Sequence, residues 1–205
     1  MCATLTPRQI DHAGPVVAAT ALLSWVFGAA PLSAQTTAIP PVSVIGQVSA
    51  LCVLGDPEIL AGGGANIGAI VGDTVNIASL VDEDLTTRAT RFEVELPALC
   101  NRPHRLTIRS DNGGLWHAAP GRAGPDFGDG VPYRIDIKWA GLDRQFFVPA
   151  QSVAETNSNT PVSRPSGGTL GLSFSIDAGA SNAGANVPLV AGTYRDTIRI
   201  SMSAD

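Results

Sequence analysis

In residues 190–205, Tyr194, Ile198, Ile200 and Met202 fall on one parity, and Thr193, Arg195, Thr197, Arg199 and Ser201 on the other. Apolar residues at period 2 cannot line one face of a helix, whose repeat is near 3.6. The stretch is therefore expected to be a strand with one buried face. Gly192 is placed to launch it. A sheet that closes on such a strand raises a question about its free edge, because an unpaired edge is a row of unsatisfied N–H and C=O groups.

The same period recurs upstream. Val48, Ala50 and Cys52 alternate with Gln47, Ser49 and Leu51, which predicts a first strand that delivers Cys52. Phe92, Val94 and Leu96 alternate with Arg91, Glu93 and Glu95, and Pro97 is expected to end that strand. Leu106 and Ile108 follow, up to a turn at Ser110-Asp-Asn-Gly-Gly114. Tyr133, Ile135, Ile137 and Trp139 form another set, terminated by Ala140-Gly141, and Phe146, Phe147 and Val148 a short one. Residues 156–168 read as a Pro/Ser/Asn/Gly loop, and Leu170, Leu172, Phe174 and Ile176 as a further strand. Residues 54–88 are less regular. About seven strands with almost no helical periodicity predict an all-β, immunoglobulin-like antiparallel sandwich.

Residues 1–34 are not expected to belong to that fold. Residues 16–30 are an apolar run, followed by Pro31-Leu-Ser-Ala34 and Gln35, which reads as a secretory signal cleaved after Ala34. The run is short for a spanning helix of about 20 residues, and no membrane span is expected in the mature form. Of three cysteines, Cys2 leaves with the signal. Cys52 and Cys100 remain as an even pair in an exported chain, so a disulfide between them is expected. The organisation is then a signal at 1–34, an N-terminal extension at 35–46 and one β domain at 47–205. The net charge of −5, with no basic run, excludes nucleic acid and an anionic membrane surface as expected partners.

Residues that could carry chemistry are sparse. Neither His104 nor His117 has metal-ligand spacing, and no Gly-x-Ser-x-Gly elbow accompanies Ser110, so no catalytic, cofactor or metal set is expected. Asp82-Glu-Asp84 lacks the spaced ligands and turn glycine of a calcium loop and reads as a solvated turn. His104, beside Pro103, is expected at the surface, and Trp116 as a cap on the end of the sheets. Asp56, Asp126 and Asp129 lie in turns that suit their local hydrogen bonding.

Gly192-Thr-Tyr-Arg-Asp-Thr-Ile-Arg-Ile200 resembles the closing Gly-x-Tyr-x-Asp-x-Ile/Val signature of the spore coat U domain family, which includes subunits of archaic chaperone–usher pili. Cys52 near the first strand, Cys100 just before another and Tyr133-Arg-Ile-Asp-Ile-Lys138 in the middle extend the resemblance over residues 44–204. It implies an incomplete sandwich that lacks its last strand. A periplasmic chaperone would fill the groove first, and the N-terminal segment of another subunit would then replace it at an outer-membrane usher. On that reading Ile39, Val42 and Val44 are the donor-strand side chains, and Ile198, Ile200 and Met202 line the receiving groove. The implied partners are copies of this chain or related subunits, the chaperone and the usher, and the implied destination is the cell surface. Two other readings compete: a self-complemented secreted coat or matrix protein, and a ligand-binding surface module using residues 116–127.

Overall fold

The computed structural model describes residues 45–60, 66–121 and 123–205, and the described chain from Gly46 onward is one compact unit. The donor-strand residues Ile39, Val42 and Val44, and the signal at 1–34, lie outside the described residues. Fourteen strands and no helix are present among the described residues. In chain order they are β1 (Cys52–Leu54), β2 (Glu58–Leu60), β3 (Ile67–Val71), β4 (Thr74–Ile77), β5 (Thr90–Cys100), β6 (His104–Ser110) and β7 (Leu115–His117). There follow β8 (Gly130–Val131), β9 (Tyr133–Trp139), β10 (Leu142–Val148), β11 (Thr156–Val162), β12 (Ser166–Ile176), β13 (Tyr194–Arg195) and β14 (Ile198–Ala204). Every strand pair is antiparallel.

The largest sheet has the order β1-β5-β12-β9-β10, with β2 also on β5. A three-stranded sheet has the order β11-β6-β14, a smaller one β13-β7-β8, and β3 pairs with β4 alone. Period-2 alternation decides which side chains go inward. Val94 and Leu96, Leu170 and Leu172, and Ile135 and Ile137 from the large sheet share one core with Leu106 and Ile108 of β6. The β9–β10 hairpin turns at Ala140 and Gly141, both with left-handed φ (54° and 79°), the geometry of a two-residue turn that matches strand twist.

Several expectations are corrected. The first strand begins at Cys52 instead of ending there. Val48 is exposed, and the main chain before β1 is held through Asn101, whose side chain accepts from Leu51 N and donates to Ser49 O and whose backbone N–H donates to Leu51 O at 3.0 Å. Pro97 does not end β5. It sits at the gap between β1, which pairs with residues 98–100, and β2, which pairs with residues 93–95. A residue with no N–H costs nothing where the edge ladder is already interrupted, and its carbonyl still accepts from Gly55 N at 2.7 Å. Residues 156–162 are β11, not loop: a polar edge strand paired to β6 along its whole length, with Pro161 tolerated at the edge.

The closing stretch is two strands rather than one. Residues 194–195 pair with β7 as β13, and residues 198–204 pair with β6 as β14, so the chain changes sheet at Asp196 and Thr197. The predicted parity nevertheless holds through the change: Tyr194, Ile198, Ile200 and Met202 are the more buried set. His104 is fully buried, against the surface placement expected. Its Nε2 accepts from Trp139 Nε1 at 2.9 Å, which leaves Nδ1 as the donor to Arg102 O at 2.9 Å, a neutral imidazole with both nitrogens used.

Cys52 and Cys100 are directly opposed across β1 and β5 and are bridged, and Cys100 is fully buried. The bridge closes a loop of 48 residues. Loop-closure entropy then makes it worth about 4 kcal/mol. Reduction of the bridge should lower the urea-unfolding free energy by that order with little change of near-UV signal before the transition. An unchanged unfolding midpoint would remove it as a main source of stability.

Candidate functional site

The inner side chains of β14 are only half-buried, although the facing strands bury theirs. The reason is positional. β14 pairs with β6 on one side, and among the described residues no second strand pairs with its other edge. Beside that edge lies a cleft of about 550 Å³. Ile198 and Ile200 form one wall, Phe92, Val94 and Leu96 of β5 with Phe174 and Ile176 of β12 form the floor, and Ile59 of β2 and Ile77 of β4 stand at the far side. Phe92 and Phe174 are stacked on one another, their centroids 4.7 Å apart, so part of the floor is a packed aromatic pair.

Of the three residues expected to line a receiving groove, Ile198 and Ile200 line this cleft. Met202 packs against the core but does not line the cleft. The cleft's remaining walls were not foreseen. Ile59 and Ile77 lie in the stretch whose pattern is least regular, and Asp196 and Tyr133 at the polar end belong to the closing and the middle motif, neither of which marks them as cleft residues.

Asp196 fixes that end. One carboxylate oxygen accepts from Ser110 Oγ at 2.6 Å and Tyr133 OH at 2.5 Å, and the other from the backbone N–H groups of Asn112 (3.1 Å) and Thr197 (2.7 Å). Ser110 Oγ in turn accepts from Gly113 N at 2.8 Å. The carboxylate thus ties the turn after β6, the start of β9 and the point where the chain changes sheet. Burial pushes the Tyr133 phenol well above its ordinary pKa, and the neighbouring Asp196 charge pushes it further the same way.

Tyr194 holds the other side of the junction. Its hydroxyl donates to Val190 O at 2.8 Å and its ring meets His117 edge-on at 5.6 Å. Burial, followed by the charge of Asp129, pushes its pKa up to about 12. A Cβ on Gly192 would run into the His117 ring, so the glycine before the tyrosine is required by close approach.

A second, more polar cleft of about 630 Å³ adjoins the first, between β4 and residues 192–197. In the apolar cleft the charged lining groups are Asp73 and Asp196. The cleft offers apolar side chains and, along β14, main-chain groups that pair with no second strand among the described residues. No family model matches the chain, and no curated protein matches it.

A raised phenol pKa means that the folded state holds its proton more tightly than the unfolded state. That stabilisation is complete below the ordinary value of 10 and is lost as pH rises beyond it. Stability should therefore fall above pH 10, by at most about 1.4 kcal/mol per pH unit for each phenol. Tyr133→Phe should cost about 1.5–3 kcal/mol at neutral pH, because it removes a bond to a carboxylate, and should flatten the alkaline decline. Urea melts from pH 7 to 11.5 on both proteins measure this; equal slopes would show that Tyr133 is not the group responsible.

Proposed function

We propose that this chain is an exported structural subunit: an incomplete, immunoglobulin-like β-sandwich that polymerises into a surface filament by accepting an extended strand from another copy. The observation that carries this reading is the unpaired edge of β14 beside an apolar cleft, with Ile198 and Ile200 half-buried along it. An added strand would supply the main-chain partners that β14 lacks, and its alternate side chains would fill the cleft. The candidate donor is residues 35–46, where Ile39, Val42 and Val44 are the apolar side chains on offer. Each is worth roughly 1.5–3 kcal/mol if fully buried. Donation from one copy to the next is a head-to-tail contact that does not close on itself, so its natural product is a filament.

Three further features support the reading. The disulfide and the apolar leader suit passage through an oxidising compartment. Tyr194 bonds a carbonyl four residues upstream, as the corner tyrosine of immunoglobulin-like sandwiches does. The other edges of the two main sheets are also built differently. β11 carries Asn157, Asn159 and Pro161 at its edge, and β10 carries exposed Asp143, Arg144 and Gln145, whereas β14 has no proline and inward-facing isoleucines. A periplasmic chaperone and an outer-membrane usher are the partners such assembly calls for.

Two variants separate assembly in trans from a chain that fills its own groove. A chain lacking residues 35–45 can accept but not donate; Ile200→Asp, with a charge on the inner face of β14, can donate but not accept. Neither should polymerise alone, and their mixture should give dimers on size-exclusion chromatography, while the unaltered chain gives a ladder. Polymers persisting from the deleted chain would overturn the proposal, and a monomeric unaltered chain destabilised by the same deletion would point to self-complementation.

A further inference from the structure

Among the described residues, the β3–β4 hairpin is the one strand pair outside every larger sheet. Its two strands pair with each other, with a register shift between Ile67 and Ile70, and among the described residues no third strand pairs with either. A lone two-stranded hairpin is marginal in water and holds its place only by what it rests on. Here it rests on the cleft. Thr74, Val75 and Ile77 line both the apolar cleft beside β14 and the polar one beside residues 192–197, so β4 forms the partition between them.

The two ends of the hairpin are held very differently. At the base, the buried Asn66 side chain donates to Thr90 Oγ1 of β5 and to Ser79 O, and Ala78 N donates to Asn66 O at 2.7 Å. At the tip, the chain turns at Gly72 with a left-handed φ of 60°, and Val71 is 66% exposed. The base is hydrogen-bonded to the large sheet, Ile77 packs against the apolar core, and residues 71–74 at the tip are exposed. An element with few backbone ties and a pinned base is the one whose local opening costs least.

We propose that the β3–β4 hairpin is a strap that covers the cleft beside β14 in the unassembled chain and lifts about its Asn66–Thr90 base to admit an extended strand. It rests on the reading of that cleft as the receiving site. Closed, the strap shields Ile198, Ile200 and the Phe92–Phe174 floor from water; open, it clears the cleft along β4. The strap therefore sets how fast a strand enters and how much apolar surface an unassembled subunit presents.

The strap can be removed cleanly, because Asn66 and Ala78 already meet: residues 67–77 are replaced by two glycines. The experiment uses the full chain in a Cys2→Ser background, exported so that the Cys52–Cys100 bridge forms, with Ile200→Cys as a reporter on the cleft wall. Labelling by a maleimide fluorophore should be about tenfold faster in the strapless chain than in the intact one. Equal rates would overturn the proposal. Should the strapless chain fail to fold, Asn66→Ala decides instead: loosening the base should also speed labelling, and an unchanged rate overturns the strap.

A synthetic peptide of residues 35–45, added to the same strapped and strapless chains with Ile200 intact, separates the two ideas. Faster labelling of the reporter chain without peptide capture by either keeps the strap and removes the donor-strand reading. Capture at equal rates in both, with equal labelling, does the reverse.

Discussion

A single carboxylate determines where the last strand goes. Between Arg195 and Ile198 the chain leaves β7 and joins β6, and nothing in the apolar alternation requires it to. Asp196 accepts four hydrogen bonds at that point, from Ser110, Tyr133 and two backbone amides. Charge-assisted bonds of this kind are about twice as strong as neutral ones, and a carboxylate so placed cannot be withdrawn without removing the acceptor that the Tyr133 and Ser110 hydroxyls share beside the core. The register of β14 on β6, and hence which residues face the cleft, follows from this anchor.

Much of the architecture was legible in the sequence, because alternation is a direct record of burial. The inward sets of β5, β9 and β12 are those that period 2 marks, and Tyr194, Ile198, Ile200 and Met202 keep their common parity even across a change of sheet. His104 was also marked, since it shares parity with the buried Leu106 and Ile108; a polar residue beside Pro103 obscured the signal. What the pattern could not carry is pairing. β11 is all polar apart from Pro161 and Val162, so its membership in a sheet rests on main-chain bonds to β6, and a run such as Thr-Asn-Ser-Asn has no apolar periodicity to announce it. The cleft was legible in part: β14 supplies its signature residues, while β2 and β4 reach it by long-range packing that local sequence does not encode.

Pro97 and the β14 edge show opposite uses of an interrupted ladder. At Pro97 the interruption is internal, and the neighbouring strand is split into β1 and β2 so that no acceptor waits for the missing N–H. At β14 the interruption is complete on one side, yet every residue from Ile198 to Ala204 retains a donor. A chain that protects β11 with proline and β10 with charge leaves this edge able to bond.

An edge left open is a cost to the isolated domain, and the size of that cost bears on how the domain would behave. Burying an isoleucine fully is worth roughly 1.5–3 kcal/mol, and total folding stability is commonly only 5–15 kcal/mol. Two isoleucines kept half-buried therefore withhold an appreciable part of what a domain of this size has. On the proposed reading that withheld free energy drives assembly, since it is recovered only when a strand fills the cleft. The same exposure invites non-specific pairing before assembly. A hairpin that lines the apolar cleft without pairing as a strand with β14 limits that exposure while leaving the strand edge unpaired among the described residues, so that cover and availability are compatible in one structure.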